Sequence, residues 1–153
     1  MQPILEYRLL KAHESFESLY YYNSIEFEEI LARRECEFFV KDGITYQQTS
    51  SAIEANETII YVKKYEQSEP DRIENEKAIS LEYREFNARK DHPIIKKERH
   101  SFHLDVLHKI GAVYHYIEAV EWERDSAEID EDRMTYVLYL TPTGFELKEG
   151  EDE

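Results

Sequence analysis

Ile4 to Leu10 puts Tyr7 and Leu9 on one face and the apolar Ile4 and Leu10 on the other, which predicts a strand over 4–10. The stretch 13–22 carries two readings. Phe16, Leu19 and Tyr20 suit a helical turn, while Tyr20-Tyr21-Tyr22 would extend a strand. Phe27, Ile30 and Leu31 recur at helical spacing and predict a helix over 25–34, with Asn23 as its cap and Glu26 closing a capping box. Its acids precede Arg33 and Arg34, the order that the helix dipole favours. Two β-rich runs, 36–41 and 44–48, flank Asp42-Gly43, a strong hairpin signal. A polar segment over 49–56 then leads to a strand at 58–62.

The second half echoes the first. Leu5-Glu6-Tyr7-Arg8 followed by Ala12 returns as Leu81-Glu82-Tyr83-Arg84 followed by Ala88, and Ser50, Ile53 and Glu54 return as Ser126, Ile129 and Asp130. A long internal period implies two supersecondary blocks that bury their apolar faces together. The echo also decides an ambiguity. Phe102, Val106, Ile110, Val113, Ile117 and Val120 would line one face of a single long helix, yet Val113 to Ile117 is β-branched and aromatic and Gly111 interrupts the stripe. By analogy with the first half, the expectation is a helix over 101–110 capped by Ser101, a left-handed C-cap at Gly111 and a strand over 112–123. A strand at 79–86, an acidic loop at 125–132 and a last strand at 134–140, ended by Pro142 and Gly144, complete the reading.

The fold class expected is therefore α+β: two similar β-α-β-β-β units packed as a pseudo-twofold pair, mainly antiparallel sheet with few short helices. One compact domain over 1–153 would hold units at 1–68 and 77–145, joined by a polar linker at 67–76, with a disordered acidic tail at 146–153.

Charge narrows the partners. The chain carries 34 acidic and 19 basic side chains, a net −15, shared evenly between its halves. Such a surface disfavours nucleic acid and anionic membrane and suits a protein partner with a basic face. Six cations are gathered between Arg84 and Arg99, which makes Arg89, Lys90, Lys96 and Lys97, with the nearby tyrosines Tyr114 and Tyr116, candidate partner-binding residues. One cysteine, no leader-like start and no long apolar run lead to a cytoplasmic expectation.

The candidate chemistry is sparse. Five of the six histidines fall between His92 and His115, and His100, His103 and Asp105 are the residues that a metal would use. Two histidines at helical spacing supply half of a tetrahedral site, so the preferred reading has no metal and no cofactor. Cys36 stands between Glu35 and Glu37, which oppose a thiolate and favour a small core residue. No phosphate loop and no nucleophile elbow occur. The function expected is that of a small acidic interaction or regulatory protein rather than an enzyme. A metal-dependent protein using the His92–His115 region is one alternative, and a small-molecule sensor with an aromatic pocket between the units is another.

Overall fold

A computed structural model describes residues 3–68 and 78–147; the expected linker and most of the expected tail lie outside them. Ten strands form one mixed sheet. They are β1 (Ile4–Leu10), β2 (Phe16–Tyr22), β3 (Phe38–Lys41), β4 (Ile44–Glu54), β5 (Glu57–Gln67), β6 (Ile79–Glu85), β7 (Ile94–His100), β8 (Tyr114–Ile117), β9 (Val120–Asp130) and β10 (Thr135–Glu146). Helix α1 (Phe27–Arg34) follows β2, and α2 (His103–Ile110) follows β7. The strand order is β2-β1-β5-β4-β3-β9-β10-β6-β7, with β8 paired to β9 beside this path. The α+β class holds. Among the described strands six pairings are antiparallel and three are parallel, namely β1 with β5, β6 with β10, and β3 with β9.

The repeated tetrapeptide has a plain structural meaning. Leu5, Tyr7, Leu81 and Tyr83 are buried in the core that Ile30, Val106 and Ile110 of the helices complete. Alternation turns Glu6, Arg8, Glu82 and Arg84 to the opposite face. There each arginine pairs with the glutamate two residues before it, at 2.6 Å for Arg8 and 2.9 Å for Arg84. Helices thus cover one face of the sheet, and charged pairs occupy the other. Helices α1 and α2 pack against each other over the shared core.

Several expectations are corrected. Each half holds one strand more than β-α-β-β-β, because 16–22 forms β2 and 94–100 forms β7. Helix α1 begins at Phe27 with Glu26 at its N-cap, and no side chain caps it, so the Asn23 box is not made. Phe102, not Ser101, is the N-cap of α2, and Gly111 closes that helix in right-handed geometry, with φ −82°. The expected strand at 112–123 is two strands joined by a tight turn at Glu118 and Ala119, with φ of 52° and 69°. The polar segment 49–56 and the acidic loop 125–132 lie mostly inside β4 and β9, and β10 runs on through Pro142 and Gly144 to Glu146.

The acids at the end of β9 stay ordered because fixed donors satisfy them. Asp132 accepts the amides of Asp42 and Gly43 at 2.7 and 2.8 Å, fastening the hairpin of the other half. Glu131 accepts from Arg33 and from the Tyr22 hydroxyl, and pairs with Lys41.

Candidate functional site

Two concavities lie on opposite faces of the sheet. On the helix side, the first turns of α1 and α2 frame a groove of about 760 Å³. Pro3, Ile25, Phe27, Phe102 and Leu104 give it an apolar lining, and Glu26 and Glu28 stand at its rim. Phe27, Phe102 and Leu104 are all more than half exposed, an unusual amount of open apolar surface for neighbouring side chains.

Behind the groove runs a buried polar network. His103 engages both ring nitrogens: Nδ1 lies 2.9 Å from the Tyr136 hydroxyl and Nε2 lies 3.2 Å from Glu29. Glu29 pairs with Arg33, which is 2% exposed, and Arg33 reaches on to Glu131 at 3.0 Å. The guanidinium also lies over the rings of Tyr22 and Phe39. One of its nitrogens, Nη1, and the Tyr7 hydroxyl meet no partner in hydrogen-bonding geometry. Burial, joined by the Arg33 charge and opposed by Glu29, pushes the His103 pKa down, which favours the neutral ring.

On the helix-free face a pocket of about 160 Å³ opens where the two halves meet. Phe38 and Tyr65 form one aromatic pair, their centroids 5.1 Å apart. Phe86, His92 and Tyr139 form a triad: His92 is 5.1 Å from Phe86 and 5.3 Å from Tyr139. Two carboxylates, Glu66 and Glu128, complete the lining with the hydroxyl residues Thr45 and Ser126. Strand register places Glu128 between Phe38 of β3 and Val137 of β10. No hydrogen bond reaches its carboxylate from any described side chain. Burial first, and the Asp130 charge second, push the Glu128 pKa up to about 7. The pocket is continuous with a polar cleft of about 430 Å³ that adds Arg84, Asp91, Asp130 and Arg133. A backbone in the left-handed region at both Asp91 and His92 delivers His92 here, and its Nδ1 accepts the Asn87 amide at 2.9 Å.

The residues singled out from sequence are dispersed. His100 bonds Glu98 at 2.9 Å, His103 lies in the network just described, and Asp105 is exposed on α2. No three potential ligands converge on a common point among the described residues. Arg89 and Lys90 are exposed in the turn after β6. Lys96 and Lys97 leave the edge strand β7 on opposite faces. Lys96 pairs with Glu98 and lies 5.7 Å over the Tyr83 ring, whereas Lys97 approaches Glu82 at 4.0 Å. Tyr114 and Tyr116 are exposed on β8, where the Tyr116 hydroxyl donates to Glu121. Cys36 is a core residue, its thiol donating to the Ala32 carbonyl and its pKa raised well above the usual value by burial and by Glu37.

The groove and the pocket escape a sequence reading because each gathers residues from several elements. The one available signal was alternation, which puts Phe38, Glu128 and Tyr139 on the face away from the helices. No helix among the described residues is long and apolar enough to cross a membrane. No protein-family model, no curated protein and no solved structure matches the chain.

Proposed function

We propose that this chain is a duplicated β-β-α-β-β-β unit that acts as a small cytoplasmic interaction protein, binding a protein partner through the groove at the helix N-termini. The observation that carries the reading is the open apolar surface of Phe27, Phe102 and Leu104 beside the carboxylates of Glu26 and Glu28. Rings and aliphatic chains of this kind anchor interfaces, and the acidic rim suits a segment that carries lysine or arginine beside its own apolar anchors. The duplication is supported by matching register: Arg8 lies opposite Tyr61 in one half, and Arg84 lies opposite Tyr139 in the other. Under that equivalence each unit contributes one helix and one wall of the groove. A cytoplasmic setting fits a single, buried cysteine.

The test is differential capture. Wild type and a Phe27→Ser, Phe102→Ser, Leu104→Ser variant, shown by circular dichroism to be folded, are used as baits. The reading expects a partner with a basic, apolar segment that wild type retains and the variant loses. Identical sets of captured proteins would remove the groove from consideration.

A second reading, a small-molecule sensor, is favoured by one feature: the aromatic pocket sits between the halves, drawing Phe38 and Tyr65 from one and Phe86, His92 and Tyr139 from the other.

A further inference from the structure

We infer that the pocket on the helix-free face binds the head of an organic cation, an alkylammonium group. The inference rests on the second reading above and names the ligand chemistry of that site.

The lining holds five aromatic rings and two carboxylates, and no lysine or arginine. Aromatic faces present negative charge, and a cation enclosed by several of them is attracted without needing hydrogen bonds. Glu128 supplies what such a cage lacks, a formal counter-charge. Its strand neighbours Phe38 and Val137 offer it no donor side chain. The nearby cations are already committed. Arg133 pairs with Asp130 at 2.8 Å and Glu82 at 2.9 Å, while Arg84 pairs with Glu82 and donates to the His92 carbonyl. Glu128 is half-buried and forms no salt bridge with Arg133 or Arg84; desolvation and the Asp130 charge outweigh those two arginines and push its pKa up to about 7. A volume of about 160 Å³ suits a compact head group rather than a drug-sized molecule, and the adjoining cleft leaves room for whatever the head is attached to.

The first half of the chain holds an internal precedent. There Arg8 lies 4.6 Å over the Phe16 ring and 5.9 Å over Tyr61, with the Glu54 carboxylate 3.3 Å away. Its own guanidinium fills an aromatic and carboxylate setting. At the corresponding register of the second half, Arg84 pairs with Glu82 as Arg8 pairs with Glu6, but it adds the His92 carbonyl where Arg8 adds the Tyr61 hydroxyl and Glu54, and Tyr139 faces the rings of Phe86 and His92. Among the described residues no lysine or arginine lies over Tyr139. The arginine that lies over aromatic rings in the first half thus engages a carbonyl in the second, where the lining of the pocket carries no lysine or arginine.

Two sources of this chemistry are a free quaternary or alkyl amine and a lysine side chain of another protein. Choline, a lysine blocked at both ends, and 3,3-dimethylbutan-1-ol, the neutral shape-match of choline, are titrated into the full-length protein by NMR. Aromatic ring shifts of the pocket are the readout. The inference expects choline or the blocked lysine to shift Tyr139 and Phe86 with saturation, and the neutral alcohol to bind at least about tenfold more weakly. The tighter of the two cations identifies the source. Glu128→Gln, an isosteric change that removes a half-buried charge and should fold, weakens cation binding about tenfold or more. Equal binding of the alcohol and choline would overturn the cation chemistry while leaving the pocket a ligand site. No saturable shift from any of the three would sink both.

Discussion

Replacing Arg33 by methionine tests the charge network that joins α1 to the far half of the sheet. The guanidinium is 2% exposed and holds Glu29 at 2.9 Å and Glu131 at 3.0 Å. Methionine keeps much of the stem's packing and leaves two carboxylates behind. Breaking a buried pair from one side typically costs about 3–5 kcal/mol, because the surviving charge is left without compensation. Glu131 would retain Lys41 and the Tyr22 hydroxyl, each at 2.6 Å, so its share is small. Glu29 would retain only His103, which is held in its neutral form at pH 7. The expected loss is therefore about 3 kcal/mol at pH 7, or roughly 6–12 °C in Tm for a chain of this size. Urea unfolding followed by Trp122 fluorescence and circular dichroism measures it. The loss should also depend on pH. Burial and Arg33 depress the His103 pKa and Glu29 raises it, so removing Arg33 raises it. A protonated His103 then neutralises Glu29, and the deficit against wild type shrinks as pH falls below 6.5. A loss under about 1 kcal/mol would refute the reasoning. So would a deficit that grows on acidification, or a Glu29→Gln change that costs the same with and without Arg33.

Two further outcomes are expected. Ala119→Gly should stabilise the protein by about 0.5–1 kcal/mol in thermal unfolding, because Ala119 holds φ 69° in the β8–β9 turn and glycine takes that conformation without a Cβ clash; the gain is limited by glycine's freer unfolded state. Glu128 binds its proton up to about pH 7 in the folded chain and to 4.5 in the reference, so it favours folding at acid pH and withdraws that support as pH rises from 4.5 to 7. Asp130 and Glu66 hold its pKa up while Arg133 and Arg84 oppose them, and removing its charge with Glu128→Gln should flatten this fall. The variant should gain stability at pH 8 by an amount capped at about 3 kcal/mol and reduced by solvent at the pocket mouth. Equal slopes for variant and wild type would contradict the desolvation of that carboxylate.

How far the fold was legible follows from which local signals agree with the tertiary structure. Asp42-Gly43 supplies two residues that tolerate positive φ, and the hairpin stands where that dipeptide places it. The turn at Glu118-Ala119 between β8 and β9 also takes positive φ at both residues, with residues that carry no such signal, so β8 and β9 read as one strand. Strands β2 and β7 were missed or blurred for a different reason. Both are edge strands with little buried surface, and Phe16, Glu17 and Ser18 stay exposed, so alternation is weak. The acids at 125–132 misled because composition describes a charge run while ignoring its donors. Asp132 and Glu131 are ordered by amides and cations supplied more than 80 positions earlier in the chain.

The candidate sites were less legible than the fold, and the histidines show why. Counting placed the interest at His100, His103 and Asp105, whereas the sheet assigns the two rings to separate carboxylates, Glu98 and Glu29. His92, the member of the group that the count passed over, is the one that lines a pocket, and it does so because two successive left-handed residues turn it inward. Backbone strain at Asp91 and His92 costs on the order of 1–3 kcal/mol each when side chains must hold that conformation, so the surrounding contacts have to fix it. Here the Asn87 amide on Nδ1, the Arg84 bond to the His92 carbonyl and the rings of Phe86 and Tyr139 do so. A turn held in this way at one end of an aromatic pocket is a stronger pointer to ligand chemistry than the clustering of histidines along the chain. It also concentrates the test of function on a small part of the surface, where Glu128, Tyr139 and His92 meet.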